Sequence, residues 1–225
     1  MQLILSMMGK SHLGQETVII RLSIYIGAER LRTAHLILTL PTLLRYSVND
    51  MVPLTLIFVL ESDGNDKSDN IYLTDLINHF YKYENDNYSQ VSRQNIFLSG
   101  KTNYKKVKSK INNYKKIYGI DGGISKVIYM IDLDSTDTTF KDGSTNKNIS
   151  DYCSTNEYDL IWMCKNVENV FLNVESDAIE NKTEAAKSFV RSNVNNYDIN
   201  KLSKETIEKG CSNILLILDK YLKRK

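Results

Sequence analysis

The residues best suited to chemistry stand where an apolar run stops in carboxylates, Lys126 to Asp137, K-V-I-Y-M-I-D-L-D-S-T-D. Val127 to Ile131 are all apolar and predict a short buried strand, which leaves Asp132 and Asp134 at its C-terminal end. A strand alternates its side chains with period two, so the two carboxylates point to one side. Like charges this close are costly unless a cation neutralises them, and hard oxygen donors of this kind suit Mg²⁺ or Mn²⁺. Asp and Ser are also common turn and cap residues, so the triplet taken alone fits a site and an Asp-rich turn equally well.

The surrounding elements decide between these readings. Leu54 to Leu60, L-T-L-I-F-V-L, reads as a strand buried on both faces, ending in Glu61 and the polar loop S-D-G-N-D-K-S-D. A helix capped by Asp69 or Asn70 is expected to run to about Tyr83, with Leu73, Leu76, Ile77 and Phe80 on one face and His79 turned to solvent. Asn95 to Ser99 reads as a second strand. Asn103 to Tyr118 reads as a second helix about 24 Å long, with Val107, Ile111, Tyr114 and Tyr118 on its apolar face. The third strand then leads into Asp132 and Asp134.

Strand and helix alternation of this kind predicts a parallel sheet, and ligands of such sheets gather beyond the carboxyl ends of the strands. Glu61 and the aspartate pair are therefore expected on one rim. Further on, Ile149 to Thr155 reads as a short helix and Asp159 to Cys164 as a fourth strand, with Glu168 soon after it. The C-terminal third is expected to be helical, about Thr183 to Arg191 and then a long helix Ser203 to Leu222. Leu202, Ile207, Cys211, Ile214, Leu215, Leu218 and Leu222 give that helix its apolar stripe and Ser203 its cap.

Composition bounds the function. The chain has 225 residues, 42% hydrophobic and 25% charged, which is ordinary globular material. Its net charge of +2 conceals a basic segment: Asn87 to Ile120 holds Arg93 and seven lysines with no acidic residue. Lys101, Lys105, Lys106, Lys108, Lys115 and Lys116 are candidates for phosphate contact there, although a lysine-rich helix face is more often simply solvated. Three cysteines without metal-ligand spacing argue against a disulfide framework, and no apolar run approaches the roughly 20 residues of a membrane span. A soluble cytoplasmic protein is expected.

Residues 1–50 carry four arginines and one lysine, against three arginines and 21 lysines in the rest. That shift reads as an N-terminal appendage or an over-long gene start. An α/β domain is expected over 51–175, with C-terminal helices over 176–225 packing on or extending it.

A glutamate closing the first buried strand, L-I-F-V-L-E-S-D-G, and D-x-D closing the third, V-I-Y-M-I-D-L-D, resemble the Toprim domain of topoisomerases, primases and the OLD- and RloB-like nucleases. The stretch Tyr158 to Leu172, Y-D-L-I-W-M-C-K-N-V-E-N-V-F-L, is similar to the strand and following acid segment of RloB-type proteins of bacterial restriction and phage defence. The resemblance implies a Toprim-like parallel sheet of about four strands flanked by helices, and a metal-dependent nuclease acting on DNA or RNA. Asp132 and Asp134 would hold Mg²⁺ or Mn²⁺, Glu61 would be a ligand or general acid/base, and Glu168 a further ligand. Many Toprim domains place glycine directly after the glutamate, whereas Ser62 and Asp63 precede Gly64 here. The chain lacks G-x-x-x-x-G-K-[ST], so an ATPase or other defence-system subunit would be a separate chain.

Two alternatives remain. I-D-L-D-S-T also resembles the nucleophile motif of haloacid-dehalogenase-like phosphatases, with Asp132 phosphorylated and Asp134 protonating the leaving group, but that motif usually opens its domain. The other is a non-catalytic Toprim-like module that binds nucleic acid or a partner.

Overall fold

The computed structural model describes residues 2–12, 15–26, 29–39, 51–120, 122–133, 140–174, 178–192 and 197–225, with backbone alone before residue 51. Two compact units divide the chain, Met1–Met51 and Val52–Lys225. In the first, β1 (Gln2–His12), β2 (Gln15–Ile26) and β3 (Glu29–Thr39) form an antiparallel sheet in the order β1-β2-β3. Its register shifts between Ile24 and Tyr25.

The second unit is α/β, a four-stranded parallel sheet flanked by helices. β4 (Leu54–Leu60), β6 (Val91–Phe97), β7 (Ile124–Leu133) and β8 (Asp159–Cys164) lie in the order β6-β4-β7-β8. β4 has both neighbours parallel to it and every residue buried, which its unbroken apolar run requires.

Side-chain alternation divides the core into two layers. Leu54, Leu56, Phe58 and Leu60 of β4 share one face with Ile128 and Met130 of β7 and Ile161 and Met163 of β8. Against that face pack α1 (Ser68–Phe80), α4 (Val167–Leu172), α5 (Lys182–Arg191) and α7 (Ile214–Leu218). The other face, with Ile57, Val59, Tyr129 and Ile131, takes Ile111 of α2 (Lys108–Tyr118) and Ile149 and Cys153 of α3 (Thr145–Thr155). Asp132 has the parity of Ile128 and Met130, so it faces the α1, α4 and α5 layer.

Several expectations change. α1 stops at Phe80 because Tyr81–Lys82 (β5) pairs antiparallel with Lys223–Arg224 (β9), and the Tyr81 hydroxyl donates to Asp219 Oδ1 at 2.7 Å. Neither Asp69 nor Asn70 caps α1; Lys67 stands at that position without a side-chain cap. α2 starts at Lys108, because Gly100 turns with φ 110° into a short 3-10 turn over Lys101–Asn103. The helix is then about 16 Å long by its residue count. α3 begins at Thr145, capped by the Ser144 side chain, so the loop before it is shorter than expected.

The largest correction is the C-terminal helix. In place of one helix over Ser203–Leu222 there are α6 (Ile199–Leu202), capped by Asp198, an irregular segment, and α7. Leu202, Ile214, Leu215, Leu218 and Leu222 pack in the first core layer, whereas Cys211 packs in the second. One straight helix could not serve both sides of a sheet. The chain instead runs along the outer edge of β8, where Cys164 N–H donates to Cys211 O at 2.9 Å and Asn213 Oδ1 accepts from Trp162 N–H at 3.0 Å. Gly210, at φ 69°, makes the bend.

Candidate metal and phosphate site

β4 and β7 are neighbours although two strands in the chain order separate them, β5 in its own two-stranded sheet and β6 on the far side of β4. Adjacent parallel strands whose connections leave in opposite directions open a crevice at their carboxyl ends. Glu61 directly follows β4 and Asp132 lies in the last turn of the pleat of β7. Asp132 N–H donates to Glu61 Oε2 at 3.3 Å, so the two expected residues meet across 71 positions of sequence.

The helical layer adds three charged groups. Asp69, in the first turn of α1, accepts from Ser62 N–H through Oδ2 at 3.1 Å and thereby ties the loop after β4 to the helix. Glu168, in the first turn of α4, is 1% exposed, and neither carboxylate oxygen has a hydrogen-bond partner. Lys182, first residue of α5, approaches it at 3.4 Å. Asp69 and Lys182, with Glu61, Ser62, Ser68, Gly100, Asp132 and Glu180, line a cleft of about 420 Å³, whereas Glu168 is buried behind Lys182 and is not part of its lining.

The acids form one electrostatic group. Burial, followed by repulsion from Asp69, Glu61 and Glu168, pushes the Asp132 carboxyl well above the usual range, against the pull of Lys101. Burial and then Glu168 likewise raise Asp69, partly offset by Ser62 and Lys182. The Tyr72 phenol, buried and beside Glu168, is pushed up as well. Such a cluster holds protons, or attracts cations, because its charged forms repel one another. The N-terminal ends of α1 and α5 at the same cleft contribute partial positive charge.

Lys101 departs from the role given to the basic segment. Its ammonium donates to Asp132 O at 2.6 Å and stands 4.0 Å from Glu61 Oε2, with its side chain only 10% exposed. Lys105, Lys106, Lys108 and Lys116 are exposed. Lys115 is half-buried and sits over the Tyr158 ring at 4.7 Å from its centroid. The six lysines therefore do not form a single ridge.

Asp134 lies outside the described residues, so the second aspartate of the pair is not located. Among the described residues, no three His, Cys, Asp or Glu side chains are grouped so as to hold one metal ion. The oxygen-only donors Glu61, Asp132 and Glu168 nonetheless have the chemistry that Mg²⁺ and Mn²⁺ prefer, and the Glu168 oxygens accept no hydrogen bond although Lys182 pairs with one of them. Neither Asp69 nor Lys182 was expected at the site from the sequence. Asp69 looks like a helix cap there, and only its proximity in space to Ser62 reveals another use.

Among the described residues no helix is long and apolar enough to cross a membrane. No family model, curated protein or solved structure matches the chain. The class of protein defined is thus set by fold and site together: an α/β domain with an acidic cleft at the carboxyl end of a parallel sheet.

Proposed function

We propose that the protein is a metal-dependent nuclease of Toprim type, hydrolysing phosphodiester bonds in DNA or RNA in the setting of restriction or phage defence. The observation that carries this reading is the meeting of Glu61 and Asp132 at the carboxyl ends of adjacent strands, with buried Glu168 paired to Lys182 of the cleft wall. Asp132 and Glu61, with Asp134 as the sequence suggests, would hold Mg²⁺ or Mn²⁺, and Glu168 would add negative charge behind them. A bound divalent ion supplies charge stabilisation on the phosphate and a nucleophilic water near neutral pH.

The chain's own groups complete the task. Lys101 fixes the Asp132 carbonyl and keeps a positive charge beside Glu61. Lys182 offers a second ammonium at the lip of the cleft, half-exposed and able to meet a phosphate oxygen. Glu61, held by the Asp132 N–H, is positioned as ligand or as proton acceptor for water.

The test is cleavage of labelled single- and double-stranded DNA and RNA by purified protein with Mg²⁺ or Mn²⁺, beside Asp132→Ala. Metal-dependent cutting lost in the variant supports the proposal. Cleavage of a generic phosphomonoester with inertness towards nucleic acid would instead favour phosphatase chemistry, and inertness in both assays of a folded protein would favour a binding module.

A further inference from the structure

A second cleft, of about 460 Å³, opens at the edge strand β6 on the other flank of the first turn of α1. Asn70 lines it, whereas its neighbour Asp69 lines the acidic cleft. At its base is Arg93, whose guanidinium lies over the Phe58 ring, 5.2 Å from the centroid. Three neutral side chains hold the fork: Nε donates to Asn95 Oδ1 at 2.9 Å, Nη1 to Thr74 Oγ1 at 3.1 Å and Nη2 to Asn70 Oδ1 at 2.6 Å. Asn70 is fixed in turn, donating to Asn65 O at 2.8 Å and accepting from Asn95 Nδ2 at 2.8 Å.

This arrangement is unusual for a purely structural arginine. A partly desolvated guanidinium normally faces a carboxylate. Among the described residues Arg93 has none in ion-pair contact; burial lowers its proton affinity, and the Tyr83 phenol, hydrogen-bonded to it, partly restores it. The three bonds to neutral side chains leave two Nη N–H groups, shared between the Tyr83 phenol and the open cleft. A fork held rigid, positively charged and without a carboxylate is suited to an oxyanion, with the phenol of Tyr83 as the group it displaces or shares.

We propose that the Arg93 cleft is a phosphate-binding site for a nucleotide unit, whether free or part of a strand. The cleft is larger than a phosphate alone needs, and Phe97, Tyr114 and Gln94 line the remainder, offering aromatic and amide surface to an attached sugar and base. The site shares no lining residue with the acidic cleft, and the proposal does not depend on the nuclease reading.

The test uses the full chain in chelator, so that no metal-dependent cleavage intervenes. Inorganic phosphate, a 5′-mononucleotide and a short single-stranded oligonucleotide are titrated in turn, following the Arg93 Nε–Hε signal and the Asn95 backbone amide by NMR. Saturable shifts are expected, with the mononucleotide binding at least about tenfold more tightly than phosphate. Asn95→Asp places a carboxylate on the fork and should weaken every ligand by about tenfold or more, in a protein that circular dichroism shows to be folded. A tighter oligonucleotide identifies a strand as the source, and equal affinity identifies a free nucleotide. The proposal is overturned if the wild-type protein shows no saturable shift with any of the three, or if Asn95→Asp binds them undiminished. An unchanged site in Asp132→Asn separates this outcome from any failure of the nuclease reading.

Discussion

Replacing Asp132 by asparagine should stabilise the metal-free protein, and the gain should depend on pH. Asp132 faces Asp69, Glu61 and Glu168, and burial adds to their repulsion, so its carboxyl is raised well above its ordinary range despite Lys101. A carboxyl raised in the folded state binds its proton more tightly there than in the unfolded chain. Stability contributed by that proton is therefore full below the ordinary carboxylate range and is lost as pH rises towards the folded value. Each tenfold difference in proton affinity between the two states is worth about 1.4 kcal/mol. For a domain of this size, 1 kcal/mol corresponds to about 2–4 °C in unfolding temperature. Asparagine keeps the shape and the backbone N–H that Glu61 accepts, and removes the charge.

The expected result is an unfolding temperature for Asp132→Asn about 3–5 °C higher at pH 7.5 for each tenfold step in proton affinity, with the two proteins converging near pH 4. Thermal unfolding by circular dichroism in chelator, from pH 4 to pH 8, measures this directly. Adding Mg²⁺ or Mn²⁺ should then raise the wild type more than the variant, because the ion replaces the proton among the acids. A variant less stable than wild type at pH 7.5, or a difference that does not vary with pH, would refute the electrostatic account of the cleft.

Other outcomes follow from the same geometry. Lys101→Met removes the bond to the Asp132 carbonyl and the charge beside Glu61, and should cost about 1.5–3 kcal/mol in metal-free urea unfolding. Gly210→Ala should destabilise by about 1–2 kcal/mol, since Gly210 has φ 69° and an added Cβ would stand 3.4 Å from Asn169 Oδ1. Were Gly210 inside a continuous helix, the same change would stabilise by about 1 kcal/mol, so the sign alone decides. Tyr81→Phe should cost about 1 kcal/mol by leaving Asp219 without the phenol and loosening the junction of α1 with the C-terminus, as denaturant unfolding would record.

The parallel sheet was legible because local signals agreed. Leu54–Leu60 and Asp159–Cys164 appear with the limits that their apolar runs suggest, and period-two alternation already put Asp132 on one side of its strand. The rim was legible too, since strand order in α/β folds brings the end of the first strand beside the end of the third. Asp134 remains a reading of the sequence, outside the described residues.

Three things could not be read that way, and each depends on contacts between residues distant along the chain. The stripe from Leu202 to Leu222 has helical spacing, but its residues serve two core layers on opposite faces of the sheet, and the edge of β8 takes the backbone for its own hydrogen bonds. Asp69 and Asn70 carry the signature of a helix cap, yet Ser62 claims one and Arg93 the other. Lys101 belongs by composition to a basic surface and by position to the acids. Sequence by itself determined the strands, their alternation and the carboxylates that close them, because those are properties of consecutive residues. Tertiary structure alone decided which charges act on one another, because desolvation and Coulomb repulsion depend on distance in space, and the chain crosses 107 positions between Glu61 and Glu168, both of which act on Asp132.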